Sequence, residues 1–189
     1  ALLAAAALSV AACEQQAATP QQASAVPAAN TASATPTDAP SAPPAATPQT
    51  LTSSDNAVSI SVTGNFQDQL GGNALPEGAE AGTILQQYDE NTDITLTVVD
   101  AGKPVKPAKE YYANLKTALE QAGFANLKAG AATENRMDYS FTDAEGNNHN
   151  CINIYSPDNL YAVCAFSSSA DNATLAETLK DVKLLKKAM

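Results

Sequence analysis

Residues 14–54 decide how much of this 189-residue chain can fold. They read EQQAATPQQASAVPAANTASATPTDAPSAPPAATPQT and run on past Leu51, built almost wholly from Ala, Pro, Thr, Ser and Gln. Ordering a residue costs about 1–2 kcal/mol of conformational entropy, and a segment with almost no large apolar side chains has little burial to offset it. A disordered linker is expected over 14–54. Its prolines favour extended polyproline geometry at ~3.1 Å per residue, a reach on the order of 100 Å. A passive spacer is the first reading; threading through a cell-wall mesh and O-glycosylation of its Ser and Thr residues are the alternatives. Only residues 1–12 and 55–189 are left to build structure.

The N-terminal run ALLAAAALSVAAC is apolar but too short to span a bilayer, which takes about 20 residues of helix. An apolar stretch ending in small residues is the h-region of an export signal. Residues 1–12 are therefore expected to be a signal peptide, with a few residues upstream that would supply its Met and basic n-region. Leu8-Ser9-Val10-Ala11-Ala12-Cys13 resembles the lipobox of bacterial lipoprotein precursors. That resemblance implies diacylglycerol on the Cys13 thiol, cleavage before Cys13 and acylation of the new amino group. The competing reading is an N-terminal core helix with a buried cysteine. Two or more acyl chains hold a protein stably at a bilayer at ~0.8 kcal/mol per buried CH₂. Glu14 and Gln15, rather than Asp, follow the cysteine, which by the same resemblance points to the outer membrane and places the body in the periplasm or at the cell surface.

Charge narrows the partners of that body. Residues 55–189 hold 18 acidic and 10 basic side chains, and the whole chain is −10. Nucleic-acid affinity is built from Lys and Arg contacts to phosphate, so nucleic acid is not an expected partner.

The 135 residues from 55 to 189 suit one domain. Val58, Ile60 and Val62 alternate with Ser59, Ser61 and Thr63 as in a half-buried strand. Residues 82–89 and 93–99 read as a hairpin turning at Glu90-Asn91-Thr92. Ala108, Tyr111 or Tyr112, Leu115, Leu119 and Ala122 recur at helical spacing between Pro107 and Gly123, a helix over 107–122. Strands are expected over 127–134, 136–143, 149–155 and 160–167, each closed by Gly, Asn, Asp or Pro turns. A final helix follows Asp171, striped by Leu175, Leu179, Val182 and Leu185, with Lys180, Lys183 and Lys187 along one side. The expected fold is α+β in the order β-β-β-α-β-β-β-β-α, a single antiparallel sheet with two helices packed on it.

Cys151 and Cys164 carry the sharpest geometric inference. If Pro157-Asp158 centres a hairpin, the two cysteines face each other at a non-hydrogen-bonded position, where Cα atoms approach ~4.5 Å and a disulfide fits. Export supplies the oxidising compartment. A redox-active pair is the alternative, but Cys-x-x-Cys spacing and an adjacent basic residue are lacking.

Other chemistry is sparse. His149 is the sole histidine, so a multi-histidine metal site is not available. Asp143, Glu145, Asn147 and Asn148 around Gly146 offer oxygen ligands without calcium-loop spacing, and those residues are also what turns require. Asp89 and Asp93 could pair for acid/base work across their turn, though acidic turns are usually solvated surface. No phosphate loop, nucleophile elbow or Ser/His/Asp set stands out. No catalytic residue, metal or cofactor is expected.

The lipobox, the polar spacer, AVSISV, ILQQYDENTDITLTVV, AKEYYANLKTALEQAG, the strand meander and the terminal helix together resemble the layout of DcrB-type envelope lipoproteins. That family implies a PsbP-like fold and a non-enzymatic envelope role. The first expectation is a membrane-tethered module that binds an envelope protein or assists assembly. The alternative is a small-molecule or glycan binder using a loop of Phe66, Leu70, Gly71 and Gly72 with an apolar pocket beneath it; an envelope hydrolase ranks last.

Overall fold

The computed structural model describes residues 46–71, 75 and 79–185. Cys13, the signal segment and most of the expected linker lie outside these residues. Ten strands and two helices are described: β1 (Thr47–Thr52), β2 (Val58–Gly64), β3 (Gln67–Asp68), β4 (Thr83–Asp89), β5 (Ile94–Gly102), α1 (Ala108–Gln121), β6 (Ala125–Ala129), β7 (Arg136–Thr142), β8 (Asn148–Tyr155), β9 (Leu160–Ser167), α2 (Asn172–Thr178) and β10 (Val182–Leu184). The class is α+β with antiparallel pairing, as expected, but there are two sheets rather than one. A seven-stranded sheet runs β3-β4-β5-β9-β8-β7-β6, and a three-stranded sheet runs β1-β2-β10.

The two helices take opposite faces of the large sheet. On one face, Leu85, Leu96, Val98, Ile152 and Val163 pack with Val58 and Ile60 of the small sheet and with Leu175 and Leu179 of α2. All are at most 3% exposed, so this is the main core. On the other face, Tyr112 and Leu119 of α1 pack with Met137, Phe124 and Leu127.

Local signals set many boundaries. Pro107 immediately precedes α1, and Gly123 takes φ 73° just after it. Asp171 caps α2 by accepting from the Thr174 N–H at 2.8 Å. Asp89 pairs with Ile94 across the expected β4–β5 turn. Gly82, at φ 87°, must remain glycine, because a Cβ there would stand 2.5 Å from the Asp100 carbonyl oxygen.

Three expectations are corrected. The folded body begins before residue 55: β1 lies inside the stretch read as linker and pairs along its length with β2. Leu51, 9% exposed, supplies the burial that the polar composition hid. The last helix stops at Thr178, and Val182 pairs with Ile60 as the start of β10. Without β10, the buried strand β2 would expose one edge of its backbone hydrogen-bonding groups. Lys180 and Lys183 consequently do not share a helical side, and Lys187 lies outside the described residues. β6 is also shorter than expected, ending at Ala129.

Candidate ligand-binding cleft

The β8–β9 hairpin folds about Pro157-Asp158, with the Ser156 N–H donating to the Asn159 carbonyl at 2.9 Å and the Asn159 N–H to Ser156 Oγ at 3.0 Å. Cys151 and Cys164 are register partners with Cα atoms 4.2 Å apart, and they form a disulfide. Their side chains lie on the face of the large sheet that α1 covers.

Register extends this pair into rows. One row crosses β7, β8, β9, β5 and β4 as Tyr139, Cys151, Cys164, Thr97 and Gln86. The row on one side is Phe141, His149, Phe166, Thr95 and Tyr88; on the other it is Met137, Asn153, Ala162, Val99 and Thr83. In the first flanking row the rings stack, Phe141 on His149 at 4.5 Å and His149 on Phe166 at 5.3 Å, and Phe124 extends the stack from beyond Phe141 at 4.1 Å. α1 covers the β6–β8 side of this face, while Gln86, Thr97, Ala162 and Phe166 stay half-buried. Between them is a cleft of about 680 Å³, floored by the disulfide and small side chains.

Asn153 holds the roof to the floor. It is 4% exposed. Its Oδ1 accepts from the Tyr111 hydroxyl at 2.6 Å and its Nδ2 donates to the Tyr139 hydroxyl at 3.2 Å, while its backbone carbonyl accepts from Tyr112 at 3.2 Å. Burial pushes the Tyr139 hydroxyl up to about 12 against the Asn153 hydrogen bond, with Tyr111 and the Glu80 carboxylate adding to the rise. Burial likewise puts Tyr112 at about 12. Tyr111 and Tyr112 donate and so need neutral phenols, which they are throughout the physiological range. Asn153→Ala removes two side-chain bonds and leaves partly buried hydroxyls without their partner, a loss of about 2 kcal/mol. Urea denaturation is expected to show it as a lower midpoint; an unchanged midpoint would mean that α1 docks without this network.

At the aromatic end, His149 Nε2 lies 2.9 Å from Asp143 Oδ2. Asp143 Oδ1 also accepts the Asn147 N–H at 2.8 Å, and Oδ2 accepts Asn147 Nδ2 at 2.9 Å. Burial alone would raise the Asp143 carboxyl, but hydrogen bonds from Asn147 and His149 outweigh it and hold it at about 2 instead of 3.8. A carboxyl depressed in the folded state contributes stability above pH ~4 and loses it as pH falls toward ~2. The stability gap between the parent and Asp143→Asn is therefore expected to shrink across that window in denaturation series at stepped pH. A constant gap would show that the charge on Asp143 is not what matters. The oxygen-rich turn read for calcium is organised by its own Asn and His donors, and among the described residues no three His, Cys, Asp or Glu side chains are grouped as for a metal ion.

The remaining sequence candidates fall elsewhere. Phe66 is 5% exposed and belongs to the main core, on the opposite face from the cleft. Leu70 is half-buried and Gly71 exposed nearby, and Gly72 lies outside the described residues. The Phe66 loop is placed by Gly64, where a Cβ would meet Asp89 Oδ2 at 2.6 Å and the Phe66 ring at 2.8 Å. Asp89 and Asp93 do not work as a pair. Asp89 is 1% exposed and accepts the Asn65 and Asn91 N–H groups. Asp93 accepts the hydroxyls of Ser167, Ser168, Ser169 and Tyr88, bonds that lower its carboxyl.

The sequence reading missed the cleft, although part of its signal was present. The rule that sets Cys151 opposite Cys164 equally sets His149 opposite Phe166 and Asn153 opposite Ala162. The position of α1 over one side of that surface had no comparable marker.

No protein-family model and no curated protein matches the chain. Among solved structures, it is similar to the solution structure of cyanobacterial PsbP from Synechocystis, at 11% identity and a TM-score of 0.48, over 80% of this chain and 100% of that one.

Proposed function

We propose that this chain is a lipid-anchored, non-enzymatic binding module of the bacterial cell envelope, and that it binds a small molecule in the cleft between α1 and the large sheet. The cleft itself carries the reading. A space of about 680 Å³ with an apolar floor and a few fixed polar groups has the size and lining of a small-molecule site. Placement at the envelope, on the outer membrane, rests on the lipobox-like LSVAAC, on Glu14-Gln15 and on the layout shared with DcrB-type lipoproteins.

A binding role fits the state of the reactive groups. His149 is bonded to Asp143 and packed between Phe141 and Phe166, and the body's two cysteines are joined to each other. Ligands from a chemically mixed library are expected to raise the melting temperature of the parent chain and to lose that effect in Ala162→Phe, which fills the floor. Stabilising ligands that act equally on Ala162→Phe would overturn the cleft as the binding site.

A further inference from the structure

We infer that Cys164 is a thiol-exchange site: a small thiolate entering the open part of the cleft bonds to Cys164 Sγ and expels Cys151, leaving a mixed disulfide inside the cleft. The inference goes beyond ligand binding, because it uses the cleft only as the route to a sulfur.

The fold selects which sulfur is struck. A thiolate attacks a disulfide in line with the S–S bond, from the side away from the sulfur that leaves, so access on that side decides the site. In the sheet order β5-β9-β8-β7, the far side of Cys164 is toward β5 and the far side of Cys151 is toward β7. On β5 the register partner of Cys164 is Thr97, which is half-buried and small. Thr97, Gln86 and Ala162 line the part of the cleft that α1 leaves uncovered. On β7 the register partner of Cys151 is Tyr139, whose hydroxyl accepts from Asn153 Nδ2 at 3.2 Å and whose ring packs against the cluster under α1. Exposure follows the same division: Cys164 is half-buried, while Cys151 is 2% exposed. A thiolate can line up on Cys164 and is shut out from Cys151.

The step balances without a further oxidant or reductant. The small thiol gives its proton to solvent, its sulfur bonds to Cys164 Sγ, and the electron pair of the S–S bond departs on Cys151 Sγ, which then takes a proton from water. One disulfide is exchanged for another. Burial makes Cys151 a poorer leaving group than an exposed cysteine, which slows the step without redirecting it. Cys151 stays opposite Cys164, with Cα atoms 4.2 Å apart, so it can attack Cys164 Sγ in turn and release the small thiol. Among the described residues that line the cleft none is Lys or Arg, so the pair has no basic neighbour to hold a thiolate of its own, and the incoming thiol supplies it. The adduct would lie over Thr97, beside the Gln86 amide.

Brief exposure of the purified chain to 2-mercaptoethanol, quenched with iodoacetamide, tests the assignment. Chymotryptic cleavage at Tyr155 and Tyr161 separates the two cysteines for mass measurement. The mercaptoethanol adduct is expected on Cys164 and the alkyl group on Cys151, with the reverse pattern about tenfold rarer or less. Thr97→Phe, which fills the line of approach, is expected to slow trapping by about tenfold, and the milder Thr97→Leu by less. Adduct on Cys151, an even division, or no adduct on the folded chain overturns the inference. So does an unchanged rate in Thr97→Phe. Should that variant fail to fold, low urea on the parent decides: the trapping rate is expected to stay flat below the unfolding transition, and a rate that climbs in parallel with unfolding would mean that the thiol reaches the bond only in the opened chain.

Discussion

If Cys13 carries the proposed lipid anchor, a Cys13→Ser chain is expected to incorporate no labelled palmitate and to keep residues 1–12 uncleaved. The change in chemistry is a single sulfur, yet the expected effect is close to complete. Serine offers no thiolate to form the thioether, and on the proposed lipobox reading cleavage before residue 13 depends on that lipid being in place. Each acyl chain of the proposed anchor would contribute ~0.8 kcal/mol per buried CH₂, so its loss would remove tens of kcal/mol of membrane affinity. Among the described residues no helix is long and apolar enough to cross a membrane. Palmitate labelling that persists in Cys13→Ser would show that the lipid sits elsewhere. Loss of the label with residues 1–12 still removed would show that cleavage does not depend on the lipid.

How much of this molecule could be read beforehand depended on how local each cause is. α1 announces itself because Pro107, Gly123 and the spacing of Tyr112 and Leu119 all act within one element. The β8–β9 hairpin is equally local, since a two-residue turn fixes every pair above it, including the cysteines. β1 could not be read in the same way. Thr47 to Thr52 contains one large apolar residue and a proline, and its conformation comes from β2 rather than from its own composition. β10 misled for a related reason: Val182 lies on the inward side whether the chain continues as a helix or turns into a strand, so the apolar stripe fitted both, and the hydrogen bonds needed by β2 decided. The cleft is the least local feature of all. Its floor draws residues from five strands whose order in the sheet, β4-β5-β9-β8-β7, is not their order in the chain, and its roof is a helix packed on Met137 and hydrogen-bonded to the floor at Asn153.

The disulfide sits at the centre of that floor, and its removal is expected to be the largest single loss to the folded body. In Cys151→Ala/Cys164→Ala the covalent closure over a sequence separation of 13 is gone, and the unfolded chain regains the entropy that the bond withheld, about 3 kcal/mol for a loop of this size. For a domain of this length the corresponding fall in melting temperature is roughly 10 °C. A packing contribution acts on top of the chain entropy. The alanines leave a gap where two sulfurs filled the space beside Tyr139 and Thr97, and Cys151 is only 2% exposed, so that gap is not freely solvated. Reducing the parent with a dithiol separates these terms, because it opens the same loop while leaving both sulfurs in place. The reduced parent is expected to lose most of the 3 kcal/mol, and the double alanine variant to lose somewhat more. A reduced parent that melts with the oxidised one would show that the hairpin's own pairing already restricts the unfolded chain and that the sulfurs act through packing alone. Should the loss instead appear only in the alanine variant's affinity for cleft ligands, the bond's role would lie in shaping the floor rather than in holding the fold.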